Sequence, residues 1–131
     1  MKADYPVLLD DLPAPTLRVY AKHTMIAEKL QALTVLGLAN GRMKDYFDLW
    51  LLLRDDAVDA RQLRAAIHAT FARRSTPVPQ EFPIGLRDEF AADPVKQTQW
   101  LGFPTRNRLQ APSLAEVVAA VRAGLHSREV L

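Results

Sequence analysis

Apolar residues along this chain recur mostly at helical spacing, and they predict a succession of short helices punctuated by proline and glycine. From about Lys22, the residues Ile26, Leu30, Leu33 and Gly37 share one face, with Met25, Ala32 and Leu36 beside it. This predicts a helix over 23–37, stopped by Gly37 and an Asn40-Gly41 turn. A second helix follows, capped by Asn40 or Gly41 and running from Met43 through Leu53. It is apolar around most of its circumference beyond Tyr46, as expected of a helix central to the core. Asp59 then caps a third helix over 60–73, in which Leu63, Ile67 and Phe71 repeat every fourth residue. Further on, 86–92 forms a short helix, and Asp93-Pro94 is a cap followed by proline at the first helical position, opening a helix through about Leu101 that Pro104 ends. The last helix opens with the capping box Ser113-Leu114-Ala115-Glu116 and carries the stripe Leu114, Val117, Val118, Val121 and Leu125.

The start of the chain reads differently. Pro6, Pro13 and Pro15 hold it extended, and Leu17 and Val19 alternate with Arg18 and Tyr20, which predicts a short strand over 16–20. The expected fold is therefore mainly α: a single helical domain of about five to six helices with a short N-terminal strand or extended segment. Its parts are the extended segment 1–21, helices over 22–74, a proline-rich linker 75–85 and C-terminal helices over 86–131.

Composition narrows the function classes. With 131 residues, 49% hydrophobic and 24% charged, the chain suits one domain with a modest core. No apolar run has the roughly 18–20 residues of a membrane helix, and the first residues lack a signal-peptide pattern, which points to the cytoplasm. Cysteine is absent, which excludes disulfides and thiolate metal sites, and His23, His68 and His126 lie too far apart in sequence for a local metal-ligand pair. The net charge of +2 is too small to argue for a polyanionic partner by itself, so any such argument rests on local clusters. Arg73-Arg74 is one such cluster, read either as a solvated end matched to the helix dipole or as a phosphate contact.

Two segments carry polar residues that the helical pattern does not require. One is Glu28-Lys29; the other is Arg42-x-Lys44-Asp45-x-x-Asp48 at the opening of the most apolar helix. Asp45 and Asp48 share a helical face, and Lys44 and Asp48 are spaced to pair. The short connection between the two helices favours an antiparallel hairpin, which would bring Lys29 and the two aspartates to one cleft. A lysine beside carboxylates suits phosphate chemistry, the ammonium meeting a triphosphate and the carboxylates holding Mg²⁺ or an acceptor hydroxyl. A buried structural ion pair would leave the same trace in the sequence. Neither a glycine-rich phosphate loop, a Gly-x-Ser-x-Gly elbow nor a zinc helix is present. Tyr46, Phe47 and Trp50 have the spacing of core residues rather than of a base-stacking platform.

The runs Tyr5-Pro6-Val7-Leu8-Leu9-Asp10, Leu17-Arg18-Val19-Tyr20, Thr24-Met25-Ile26-Ala27-Glu28-Lys29-Leu30-Gln31-Ala32 and Gly41-Arg42-Met43-Lys44-Asp45-Tyr46-Phe47-Asp48-Leu49, in this order, closely resemble the AbiEii/AbiGii-type nucleotidyltransferase toxins of type IV toxin–antitoxin and abortive-infection systems. The resemblance implies a two-part enzyme similar to polymerase-beta-like nucleotidyltransferases. A first part there carries a Gly-Ser loop and metal-binding carboxylates, and a helical second part carries the lysine and aspartate motifs. By that resemblance Lys29, Arg42 and Lys44 would bind nucleotide phosphates, Asp45 and Asp48 would be the catalytic carboxylates, and Glu28 would support them. NTP and Mg²⁺ would serve the full-length enzyme, with neither held tightly by this chain. An antitoxin would oppose it, and transfer RNA is a possible acceptor.

The sequence departs from that pattern at several points. It holds no Gly-Ser and no Asp-x-Asp, so the chain is expected to be the C-terminal part of such an enzyme, inactive alone. It also has Ala21 where the family usually has proline, His23 where glutamate is frequent, and Gly41 where serine is usual. Bare helix faces and the strand edge would then bind the missing half or a second copy. The alternative is a non-catalytic helical module that binds a partner protein or RNA.

Overall fold

The computed structural model describes residues 15–37, 41–103 and 112–131, with side chains from Arg18 onward. Among the described residues there are six α-helices: α1 (Pro15–Leu36), α2 (Met43–Leu53), α3 (Ala60–Arg73), α4 (Asp88–Ala92), α5 (Pro94–Gly102) and α6 (Leu114–Ser127), with a 3-10 turn at Ile84–Leu86. The expected mainly α architecture is therefore observed. No strand occurs among the described residues, and no helix there is long and apolar enough to cross a membrane.

The strand over 16–20 is overturned, since those residues are the first turns of α1, which begins at Pro15 rather than near residue 23. A lone strand would leave its backbone donors and acceptors unpaired. Extending an existing helix instead adds one hydrogen bond per residue without a new nucleation step, and proline is tolerated in a first turn. The exposed strand edge expected to drive self-association is thereby removed. A second correction concerns α2, whose N-cap is Arg42 and lacks a side-chain cap. The first turn is closed by backbone bonds instead, Asp45 N–H donating to Arg42 C=O at 3.0 Å. The short helix expected over 86–92 is divided into the 3-10 turn and α4 by Arg87, whose backbone is extended. The extended segment through Pro13, the Leu38–Asn40 part of the connection and Pro104 lie outside the described residues.

The other caps are as read. The Asp59 carboxylate accepts from the N–H groups of Arg61 and Gln62, Asp93 from that of Val95, and Ser113 and Glu116 form a reciprocal capping box. Residues 76–83, within the expected linker, form no helix.

Helices α1 and α2 run antiparallel, with Lys29 meeting Asp45 and Asp48 while Lys22 meets Asp55. Helix α3 returns alongside α1 in the same direction, His23 lying at its start and Gln31 bonding Thr76 beyond its end. The buried residues form one cluster, in which α2 is central and α6 contributes its whole stripe. Helix α2 buries residues on almost every side because α1 covers one face, α6 another, and the segment around Gly85 and Phe90 a third.

The corner after α2 is held by one side chain that the periodicity does not single out. Arg128 donates through Nε to Val58 C=O at 2.7 Å, through Nη2 to Leu53 and Asp55 C=O at 3.2 Å, and through Nη1 to Gly124 C=O at 2.9 Å. These acceptors lie around a fork that an ammonium cannot reproduce. Arg128→Lys is expected to cost about 2 kcal/mol, read as a lower urea midpoint with an unchanged slope. An unchanged midpoint would mean that solvent satisfies these carbonyls as well as the guanidinium does. Beside this corner, a hydrogen bond from Lys22 holds the Asp55 carboxyl below its ordinary value near 3.8, with help from the Ala57 N–H and against the effect of burial.

Candidate functional site

The residues singled out in the sequence meet where α1 crosses the start of α2. Lys29 is placed by α1, whose buried face of Ile26, Ala27, Leu30 and Leu33 fixes the helix rotation. Its ammonium lies 3.1 Å from Asp45 Oδ1 and 3.2 Å from Asp48 Oδ2. The two aspartates share a face because they are three residues apart, and both are buried, with side chains only 8% and 2% exposed. Arg42 Nε meets the other Asp45 oxygen at 3.0 Å, and Lys44 Nζ meets Asp48 Oδ2 at 2.8 Å. Three cations thus surround two carboxylates.

Glu28, next to Lys29, has a different neighbourhood. Its two oxygens accept from Arg73 Nη2 and Arg74 Nη2, each at 2.7 Å. This was hidden in the sequence, where the arginine pair lies 45 residues from Glu28 and shares no helix with it. The pair is more than a solvated helix end, because it is tied back to the motif-bearing helix. The whole cluster holds five cations against three carboxylates, a local surplus of positive charge at the surface of a nearly neutral chain.

Two depressions open beside the cluster. One, of about 270 Å³, is lined by Glu28, Lys29, Arg42 and Arg74 together with Met25, Gln31 and Ala32. The other, shallower and of about 620 Å³, is lined by Arg42, Lys44 and Asp45 with Gln99, Gly102 and Phe103 among its walls. Arg42 stands between them and belongs to both, whereas Asp48 lines neither. Gly41 has a close neighbour in the second depression, since a Cβ there would lie 3.3 Å from the Gln99 amide.

The carboxylates of this cluster do not by themselves suit a divalent cation. Among the described residues no three His, Cys, Asp or Glu side chains stand together as a metal site. Asp45 spends both of its oxygens, and Asp48 its Oδ2, on ammonium and guanidinium groups, and Mg²⁺ would have to displace those cations to bind there. The aromatic residues behave as core. Tyr46 is fully buried and stacks on Phe90 with ring centres 5.1 Å apart, while Phe47 packs on Trp50 and Phe103. His68 and His126 are exposed, but His23, which the helical pattern gave no reason to single out, is buried between α1 and the start of α3.

The family model of the nucleotidyl transferase AbiEii toxin, type IV toxin–antitoxin system, matches residues 1–123. The chain belongs to that family. The match covers every residue of the cluster described above, so a nucleotidyltransferase-related function and an antitoxin partner come with membership. No curated protein and no solved structure matches the chain.

Proposed function

We propose that this family member supplies the helical, phosphate-binding part of a nucleotidyltransferase, and that the cluster around Lys29 receives the triphosphate of an incoming NTP. The observation that carries this reading is the surplus of cations on the cleft beside Lys29, with Arg42 reaching both depressions. A triphosphate is the anion whose charge matches several cations presented at close range.

The two carboxylates divide the work. Asp48 is the more deeply buried, lines neither depression and accepts from both Lys29 and Lys44, so it positions the two ammonium groups. Asp45 lines the open depression and is the carboxylate that faces substrate, where it can accept a hydrogen bond from an acceptor hydroxyl. Glu28 supports the cleft by holding Arg73 and Arg74 at its edge. Metal-dependent activation belongs to carboxylates of a Gly-Ser-bearing part, which none of the 131 residues provides. The partners in this reading are that part, on the same or another polypeptide, the antitoxin, and an RNA acceptor such as transfer RNA. The chain alone does not transfer nucleotides.

The test is titration of the chain with each NTP, followed through backbone amide shifts, in parallel with Arg42→Ala and Lys44→Ala. Both side chains are mostly exposed, so these variants keep the fold. Shifts are expected at Lys29, Arg42 and Asp45, with affinity reduced about tenfold in each variant, the equivalent of one charge-assisted hydrogen bond. Equal affinity in both variants, or no shift at about 10 mM nucleotide, would overturn the reading.

A further inference from the structure

A further groove lies between α1 and α3 and meets the cluster around Glu28 and Lys29 only at Arg73. It encloses about 640 Å³, within the range of small-ligand sites, and its floor is formed by Ala65, Ala66 and Ala69 of α3. Three side chains without bulk give a flat apolar surface that a planar ring can approach closely. Gln62 stands at one end, Arg73 at the other, and Tyr20, 66% exposed, at the mouth. From Gln62 to Arg73 the groove follows α3 for roughly 16 Å.

A second observation comes from His23, which lines this groove and is only 1% exposed. Its Nε2 accepts the backbone N–H of Asp59 at 3.1 Å, so the ring is neutral and carries its proton on Nδ1. That Nδ1–H is buried and has no hydrogen-bond partner among the described residues. A buried donor left unpaired is costly, and native structures pair nearly all of them. The groove therefore brings together an apolar floor, a lining imidazole whose Nδ1–H is buried and without a partner among the described residues, an amide able to donate and accept, and a guanidinium at the far end. Both hydrogen bonds of Arg73 are made through Nη2, to Glu28 and Thr70, which leaves the other edge of the fork directed elsewhere.

We infer that the groove between α1 and α3 binds a single nucleotide unit: the base lies on the alanine floor with a ring acceptor on His23 Nδ1–H, and the phosphate meets Arg73. Gln62 reads a second position on the base edge, and binding requires local opening at His23, whose Nδ1 is closed to solvent. Because Arg73 is tied to Glu28, the phosphate end points toward the Lys29 cleft, and a nucleotide held here is set up beside the one whose triphosphate that cleft receives. The choice of a nucleotide as occupant rests on the function proposed above; the groove, its donor and its cation do not.

The probe is a set of nucleoside 5′-monophosphates, the matching unphosphorylated nucleosides, and a short single-stranded oligoribonucleotide, each added to the isotope-labelled chain. The readouts are the His23 ring ¹⁵N and Nδ1–H signals and the methyl signals of Ala65 and Ala69. Monophosphates are expected to move all of these, with affinity lower by about tenfold for the nucleosides and for Arg73→Ala. Ala69→Leu, which fills the floor from an exposed position, is expected to abolish the shifts while leaving those of Lys29 with NTP intact. Tighter binding of the oligoribonucleotide would identify the occupant as the end of an RNA chain, and equal binding would identify it as a free nucleotide. His23 signals unmoved at about 10 mM monophosphate, or unaffected by Ala69→Leu, would overturn the inference even where NTP still shifts Lys29. Groove shifts with a silent Lys29 cleft would instead leave the groove standing and overturn the triphosphate reading.

Discussion

Replacing Lys29 with methionine lowers the stability of the fold by about 3–5 kcal/mol, the range for breaking a buried ion pair from one side. Methionine keeps the length and apolar stem of lysine, so the loss is electrostatic rather than a cavity. What remains is a pair of buried carboxylates on one helical face, each robbed of the ammonium that lay between them at 3.1 and 3.2 Å. Arg42 and Lys44 stay in place, but both are mostly exposed, and water screens exposed cations more strongly than it screens Lys29. Urea denaturation measures the effect. With a slope of about 1–3 kcal/mol per molar, the midpoint falls by one molar or more. The companion variant, Lys29→Met with Asp45→Leu and Asp48→Leu, removes all three charges and is expected to return to within about 1–2 kcal/mol of the parent. If the single variant loses less than about 1 kcal/mol, the cluster behaves as a surface ion pair and its burial has no energetic consequence. If the triple variant is as unstable as the single, the loss came from packing.

A second large effect belongs to Tyr46, which joins the motif-bearing helix to the C-terminal half of the chain. Its ring is fully buried against Phe90, and its hydroxyl donates to Gly85 C=O at 2.9 Å. Tyr46→Ala is expected to cost about 4 kcal/mol through the cavity it leaves. Tyr46→Phe keeps the ring and strands the Gly85 carbonyl, for about 1–2 kcal/mol. The contact admits no extra atom, since a Cβ on Gly85 would fall 2.8 Å from the tyrosine oxygen and 2.9 Å from Leu33 Cδ2. Thermal unfolding of the two variants separates ring from hydroxyl. Equal losses would mean that the hydrogen bond, and not the stack, fixes this junction.

Local signals in the sequence carried most of the helices. Asp59, Asp93 and the Ser113–Glu116 box act within four residues of themselves, so their effect needs no knowledge of the fold. The stripes Leu63-Ile67-Phe71 and Leu114-Val117-Val118-Val121-Leu125 are buried as their spacing implies. The alternation over 16–20 misled because five residues are too few to distinguish a strand from the start of a long helix. The deciding fact is whether a neighbouring strand exists to pair with, and none does among the described residues.

The candidate site was legible in the same uneven way. Lys44 and Asp48 lie one turn apart and pair as local spacing requires. Lys29 meeting Asp45 and Asp48 follows from an antiparallel hairpin, which the short connection already favoured. Glu28 meeting Arg73 and Arg74 follows only from α3 returning alongside α1, and no spacing in the sequence encodes that return. His23 is the extreme case, an unremarkable polar residue on a helix until the start of α3 covers it and takes one of its nitrogens.

By itself, then, the order of residues determined where the side-chain-capped helices α3, α5 and α6 start, which face of each is apolar, and that a lysine and two aspartates would be presented on adjoining helices. Those properties depend on interactions spanning one or two turns. Only the tertiary structure decided how deeply Asp48 is buried, which depression Asp45 faces, what Glu28 holds, and that one imidazole donor is left without a partner among the described residues. Burial and partnership at those positions are set by helices distant in the chain, and their packing is chosen by the core as a whole rather than by any segment of it.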